Sequence, residues 1–272
     1  MVYDFFQATA QFLLYQLIGI GIFTTLEIFF PREPMAVRVR ARGLAFALLI
    51  APAWALVTLL FQAIPHYLPF APPIRFHSGF ASPIIASVAL ALWIDFQFYW
   101  FHRFQHRFLW RWHSVHHSVR DLTAINGYHH WTEPLWMGAV VGLPLLVIDV
   151  DIAPTLGFLV AIFRYQAAFF IHSPSRLHLG PLRWLLIDNR YHRIHHSLEP
   201  RHHDRNFAAM SPLCDWLFGT MYMPAKNEWP AVGLEHVAEP MTVAEWNSAP
   251  WRYGQRVGVS EEPQPEHAGA SV

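Results

Sequence analysis

Histidine dominates the chemistry available to this chain. Its 272 residues include 18 His, nearly one for each of its 19 carboxylates. Fourteen fall between residues 102 and 203, at the spacing of helix faces. His102 and His106 form an i, i+4 pair; His113, His116 and His117 form an i, i+3, i+4 triple; His192, His195 and His196 repeat that triple. On a helix such positions lie about 5–6 Å apart at Cβ, so their rings converge on one ion. Neutral imidazole is a good ligand for iron, zinc, copper or nickel and a poor one for magnesium or calcium. Eight converging rings exceed one tetrahedral site, so the spacing predicts a pair of metal ions.

Other residues near these boxes are candidates for supporting roles. Asp95 stands seven residues before His102 in an apolar run. A carboxylate in such a setting marks a functional site, and the expected role is to accept the outer N–H of a ligand histidine. His172 closes an apolar stretch ahead of a Ser-Pro turn and is expected among the ligands. His130 and Glu133 sit one helical turn apart, as a ligand pair or as a helix cap. His129, His178, His202 and His203 are off the spacing and read as structural, while His66, His77, His236 and His267 fall to interface or tail. The aromatics Phe96, Phe98, Tyr99, Trp100 and Phe101, with Trp110 and Trp112, form either the wall of a dry pocket or an interfacial belt. No GxSxG elbow, Walker-type loop or HExxH box is present. The single Cys214 excludes a disulfide framework, a Cys-rich zinc site and a Cys-ligated iron–sulfur cluster.

The elements that must hold these residues are membrane helices. Charged residues make up 14% of the chain, against about 25% in a soluble domain, and the mean hydropathy is +0.23. Residues 5–30, 43–64 and 81–101 are apolar runs that meet the length of about 20 residues a span requires. Pro52 in the second predicts a kink, which membrane helices tolerate. Residues 135–171 split at Asp149 and Asp151 into two shorter arms, read as a helical hairpin. The fold expected is all-α: a polytopic membrane helical bundle of about four transmembrane helices, the last two as a hairpin, with a cytoplasmic histidine-rich helical cap.

Arginine in the short loops sets the orientation. Arg32, Arg38, Arg40 and Arg42 follow the first run, Arg75 alone follows the second, and Arg103, Arg107, Arg111 and Arg120 follow the third. That alternation places the N-terminus outside and every histidine box on the cytoplasmic face of a bacterial-type inner membrane or its equivalent. The opening MVYDFFQ has no basic n-region, so no cleaved signal peptide is expected. A net charge of zero excludes nucleic-acid binding by phosphate neutralisation. Within that zero, residues 225–272 hold seven acidic side chains against three basic ones, and the last dozen residues read as a disordered tail.

Four segments together resemble the fatty acid hydroxylase/sterol desaturase superfamily of integral-membrane di-iron oxygenases: DFQFYWFHRFQH from Asp95, HSVHHS from His113, Asn206-Phe207, and CDWLFGT from Cys214. The resemblance covers roughly residues 90–222. It implies N-terminal transmembrane helices over 1–89, a di-metal domain over 90–222 and a C-terminal extension over 223–272. It implies that His102, His106, His113, His116, His117, His192, His195 and His196 are metal ligands and that His172 is the additional ligand after the hairpin. His130 and Glu133 match the family's His-Pro-x-Glu element, with Trp131 where Pro is usual. Two iron ions, molecular oxygen as co-substrate, a membrane lipid substrate and an external electron-donor protein are implied as well. The reaction implied is hydroxylation at an aliphatic C–H of a fatty acyl, sterol or related lipid. A lipid desaturase is the alternative within the family, since the boxes are shared. A membrane metal-binding or transport protein is the alternative from another class, with only Asp95, Arg164 and Asp149 offering a polar path.

Overall fold

The computed structural model describes residues 2–67, 74–76, 83–146, 148–150, 166–235 and 237–253. The first two apolar runs are the long helices α1 (Val2–Phe29) and α2 (Val37–Tyr67), packed on each other. Among the described residues these are the two helices long and apolar enough to cross a membrane, with mean hydropathies of 1.7 and 2.4. Glu27, the one charge inside the first run, is buried near the end of α1. It pairs with Arg40 of α2 and accepts the Ala124 N–H at 2.8 Å. The carboxylate is thereby neutralised and hydrogen-bonded, as a buried charge must be.

The third run lies on α3 (Pro83–Phe108), which continues past residue 101 to carry His102 and His106. Leu109 leaves helical geometry, with φ −116° and ψ 21°, and α4 (Trp110–His117) begins at once and packs against α3. Helix Asn189–His195 carries the third histidine box. Its start is fixed by Asp188, whose side chain accepts the N–H groups of Arg190 and Tyr191, the usual way to satisfy the orphan donors of a first turn.

The structure departs from the expected all-helical hairpin in two places. Strands Ile74–Phe76 and Ile148–Val150 pair in parallel. The first hairpin arm runs from α5 (Glu133–Met137) through a π turn at Gly138–Gly142 to Leu143–Leu145. That is about 20 Å of helix, too short for a hydrocarbon core of about 30 Å. Gly138 and Gly142 meet Val57 and Phe61 of α2 where a Cβ would intrude at 2.8 and 2.7 Å, so close packing on α2 sets this arm. Most of the second arm, and the expected tail, lie outside the described residues.

Two apolar clusters hold the site. Phe46 of α2, Val115 of α4, Leu122, Tyr128 and Trp246 form one; Tyr99 of α3, Ile187, Tyr191, Phe207 and Cys214 form the other. Trp246 belongs to helix Val243–Arg252, which starts with a Thr242/Glu245 capping box. Its ring stacks on Phe46 of α2 at 5.2 Å and its Nε1–H donates to the His129 carbonyl at 3.1 Å, so this helix packs on α2 and on the loop after α4, while Trp251 is exposed.

Candidate metal centre

Because α4 packs against α3, the rings of the first two boxes meet. His102 Nε2 lies 3.0 Å from His113 Nε2, and His106 Nε2 lies 3.1 Å from His117 Nε2. His195 closes this group from the helix Asn189–His195, with ring centroids 4.4 Å from His102 and 4.7 Å from His117. Beside it, His172 Nε2 and His196 Nε2 each stand 3.1 Å from His192 Nε2, and the His116 ring is 4.5 Å from that of His196. The chain thus builds two buried sets, one of His102, His106, His113, His117 and His195, the other of His116, His172, His192 and His196, each with ligand atoms within 4.8 Å of one another. All nine histidines expected as ligands fall in one set or the other.

Each short helix serves both sets. His113 and His117 share a face of α4, and His116 turns to the neighbouring face; His195 faces the first set while His192 and His196 face the second. Backbone carbonyls orient the rings from behind. The Nδ1–H groups of His102 and His195 donate to Phe207 O at 2.7 Å and Arg205 O at 2.8 Å, and those of His116 and His172 to Tyr128 O and Ala168 O at 3.4 and 3.3 Å. Such bonds commit the other ring nitrogen, Nε2, to act as the electron-pair donor.

The donors fit a metal ion. Nε2 of His192 faces Nε2 of both His172 and His196, and one proton on His192 cannot satisfy two neighbours, whereas a cation among the three satisfies all. With metal–nitrogen bonds of about 2.1 Å, ligands at a right angle stand about 3.0 Å apart and ligands at a tetrahedral angle about 3.4 Å. The observed 3.0–3.1 Å is the separation expected of rings that share one ion. Burial holds the rings in the neutral, ligating form: it pushes His102, His113, His116, His117, His192, His195 and His196 well below the usual histidine range, helped by neighbouring imidazoles, and His172 down to about 4.

Three residues do other work than the spacing suggests. His130 joins neither set: its Nδ1 meets Thr132 Oγ1 at 2.8 Å and its Nε2 faces the Asn247 carbonyl at 3.4 Å. Its neighbour His129 takes the inward place, stacked on His116 at 3.9 Å, and forms a third, partly buried group with His113 and Glu133. The i, i+4 spacing of His129 and Glu133 was a sequence signal for this, and His129 Nδ1 lies 3.6 Å from Glu133 Oε1. Glu133 also accepts the Gln105 amide at 2.5 Å, and burial raises its carboxyl to about 7. Asp95 holds no histidine; it accepts the backbone N–H groups of Ala209, Met210 and Ser211 at 3.0, 3.0 and 2.9 Å. Asp215, which the sequence did not single out, clamps the preceding turn through Phe207 N, Ala208 N, Tyr191 Oη and Thr220 Oγ1. It thereby fixes the Phe207 carbonyl that orients His102.

A cavity of about 310 Å³ opens onto these rings. His102, His113, His116, His129, His172 and His192 line its polar end; Phe12 and Ile20 of α1, Ile50 and Trp54 of α2 and Phe98 of α3 line the apolar remainder. Of the aromatics weighed as pocket walls, Phe98 serves as one. Tyr99 and Phe101 are core, Phe96 and Trp100 are exposed, and Trp110 touches the rings of His106 and His117 at 5.2 Å.

Residues 87–220 match the fatty acid hydroxylase family. Alkylglycerol monooxygenase of Homo sapiens is 31% identical over 147 residues, which are 53% of this chain and 32% of that protein. Ornithine lipid hydroxylase OlsE of Rhizobium tropici is 29% identical over 170 residues, 60% of this chain and 51% of OlsE. Very-long-chain aldehyde decarbonylase CER1 of Arabidopsis thaliana is 30% identical over 142 residues, 47% of this chain and 22% of CER1. The matched region therefore spans about a third of the monooxygenase and half of OlsE. No solved structure matches. With its histidine boxes gathered in two buried sets over the matched residues, the chain carries a fatty acid hydroxylase domain over residues 87–220.

Proposed function

We propose that this protein is a membrane-bound, di-iron, oxygen-dependent monooxygenase that hydroxylates an aliphatic C–H bond of a fatty acyl, sterol or related lipid. The observation that carries the reading is the cavity whose polar end is built from both histidine sets and whose remainder is mostly apolar. Alkylglycerol monooxygenase and ornithine lipid hydroxylase, by their names, both insert oxygen into lipids. One ion in each set, when bound, supplies the activation of molecular oxygen that a strong C–H bond requires.

The chain's own groups do the rest. Phe12, Ile50, Trp54 and Phe98 exclude water and lay an alkyl chain toward the imidazoles, which protects a reactive site from side reactions. The carbonyls of Tyr128, Ala168, Arg205 and Phe207 keep four ligands in one tautomer. Glu133, with its carboxyl near 7, can hold or release a proton at Oε1 beside His129 at neutral pH. In this reading α1, α2, the first part of α3 and the hairpin lie in the membrane, the histidine boxes face the cytoplasm, and a separate protein delivers electrons.

The test is purification in lipid nanodiscs, metal analysis, and lipid mass spectrometry after adding a reductant and isotopically labelled oxygen. Two iron ions per chain and a lipid gaining one labelled oxygen atom are expected, with His116→Ala lowering product by at least about 100-fold, the scale on which metal-site damage acts. Loss of two hydrogens without oxygen gain would make the enzyme a desaturase. Iron-loaded, reduced protein that consumes no oxygen with any lipid extract overturns the proposal.

A further inference from the structure

A second hollow, of about 650 Å³, lies beside the metal cavity along α3. Val88 and Leu92 of α3, Trp184 and Leu185 of the turn after Gly180, and Leu213 and Trp216 of helix Leu213–Leu217 form its walls. Its lining contains no charged side chain, and its one hydroxyl is that of Ser211. Met210 lines both this groove and the metal cavity. Its unbranched, flexible side chain is the one the two linings share. The backbone that carries it is pinned by the Asp95 carboxylate, so movement of this wall belongs to the Met210 side chain.

We propose that this groove is a second lipid site, which holds one acyl chain of a bilayer lipid beside the metal cavity with Met210 as the partition. The inference rests on the lipid-oxygenase reading in taking the surroundings of α3 to be hydrocarbon. The rim is apolar and open: Trp184, Leu185 and Trp216 are 57%, 66% and 63% exposed. The volume lies within the range of about 300–1,000 Å³ common to sites for small organic ligands. Charge marks where the headgroup sits. Arg103 lies over the Trp100 ring at 5.4 Å, and Trp100 meets Phe218 at 4.9 Å, an aromatic and cationic level of the kind found where membranes meet water. From Arg103 back to Leu92 and Val88 along α3 is about 16–22 Å. A lipid phosphate beside Arg103 thus brings its acyl chain to the depth of the groove.

The test uses a phosphatidylcholine carrying a photoreactive diazirine in mid-chain, added at rising concentration to the protein in detergent, with adducts mapped by mass spectrometry. Adducts over 182–186 and 213–216 are expected to saturate and to be competed by unlabelled lipid, whereas adducts on the exposed face of α1 at Leu14 and Leu17 rise in proportion to probe. Leu92→Trp with Leu213→Trp, both at exposed positions, fills the groove and should lower its adducts at least fivefold while leaving those on α1 unchanged. Groove adducts that rise linearly like those on α1 reduce the site to ordinary bilayer contact and overturn the proposal. Groove adducts that are absent from dimeric protein and appear only when it is diluted to monomer, as read by size-exclusion chromatography, assign the groove to a second copy and overturn it too. The labelling needs no iron, so its failure counts against the groove alone, and failure of the iron-loaded protein to oxidise lipid counts against the function alone.

Discussion

Gly127 leaves no space for a side chain beside the second histidine set. A Cβ there would stand 2.8 Å from Cγ and 2.9 Å from Nδ1 of His172, closer than real Cβ contacts come. Gly127→Ala is therefore expected to displace His172 and lower the iron content below two ions per chain while the far-ultraviolet spectrum stays helical; a full complement of iron would show that the ring has room to yield. His130→Ala is the contrasting case. Its ring bonds Thr132 and the Asn247 carbonyl and lies in neither set, so both ions should remain bound, and loss of an ion by elemental analysis would return His130 to the ligands. Eight histidines of the two sets were legible because helical spacing by itself brings i, i+3 and i+4 rings together, and the ninth, His172, because it closes an apolar stretch ahead of a Ser-Pro turn. His129 was not, because it reaches His116 from a loop, and adjacency in sequence favoured His130 for the same role.

At the scale of elements, Asp95 joins a helix to a loop 114–116 residues away. Three buried backbone donors depend on its two oxygens, and an unsatisfied buried donor costs about 1–3 kcal/mol. Asp95→Ala is thus expected to destabilise by several times that unit cost or to prevent folding. Asp95→Asn, which keeps one acceptor oxygen, should give folded protein with a lower thermal midpoint. Equal midpoints for Asp95→Ala and the unaltered protein would show that the loop finds other acceptors. The helices α1, α2 and α3 were readable as apolar runs, since their length and composition fix them. The role of Asp95 was hidden because a carboxylate bonded to backbone amides leaves no trace in the identity of its partners. The hairpin arm fell short of a span because its glycines at 138 and 142 pack on Val57 and Phe61 of α2, a contact that hydropathy does not register.

For the molecule as a whole, burial sets the dependence of stability on pH. Ten imidazoles, those of the nine-histidine centre less His106 together with His129 and His130, have their pKa lowered from 6.5 by burial. The unfolded chain then binds protons below about 6.5 that the folded chain refuses, so stability is lost as pH falls from 6.5 toward the folded values, about 4 for His172. Glu133, raised from 4.5 to about 7, and Asp215, also raised by burial, contribute with the opposite sign, but the ten imidazoles outnumber such carboxyls. The thermal midpoint of the metal-free protein is expected to drop steadily between pH 7 and pH 5; a flat profile would mean that the rings are more hydrated than their burial implies. The spacing of the boxes predicts two ions but not how the two sets are connected. Since α4 and the helix Asn189–His195 each donate rings to both sets, an ion entering one set fixes the rotation of the two helices that must supply the other. The ordering entropy is then spent largely on the first ion. Iron uptake should follow a steeper isotherm than two independent sites give, half-filled chains should be scarce, and damage to one set should empty both.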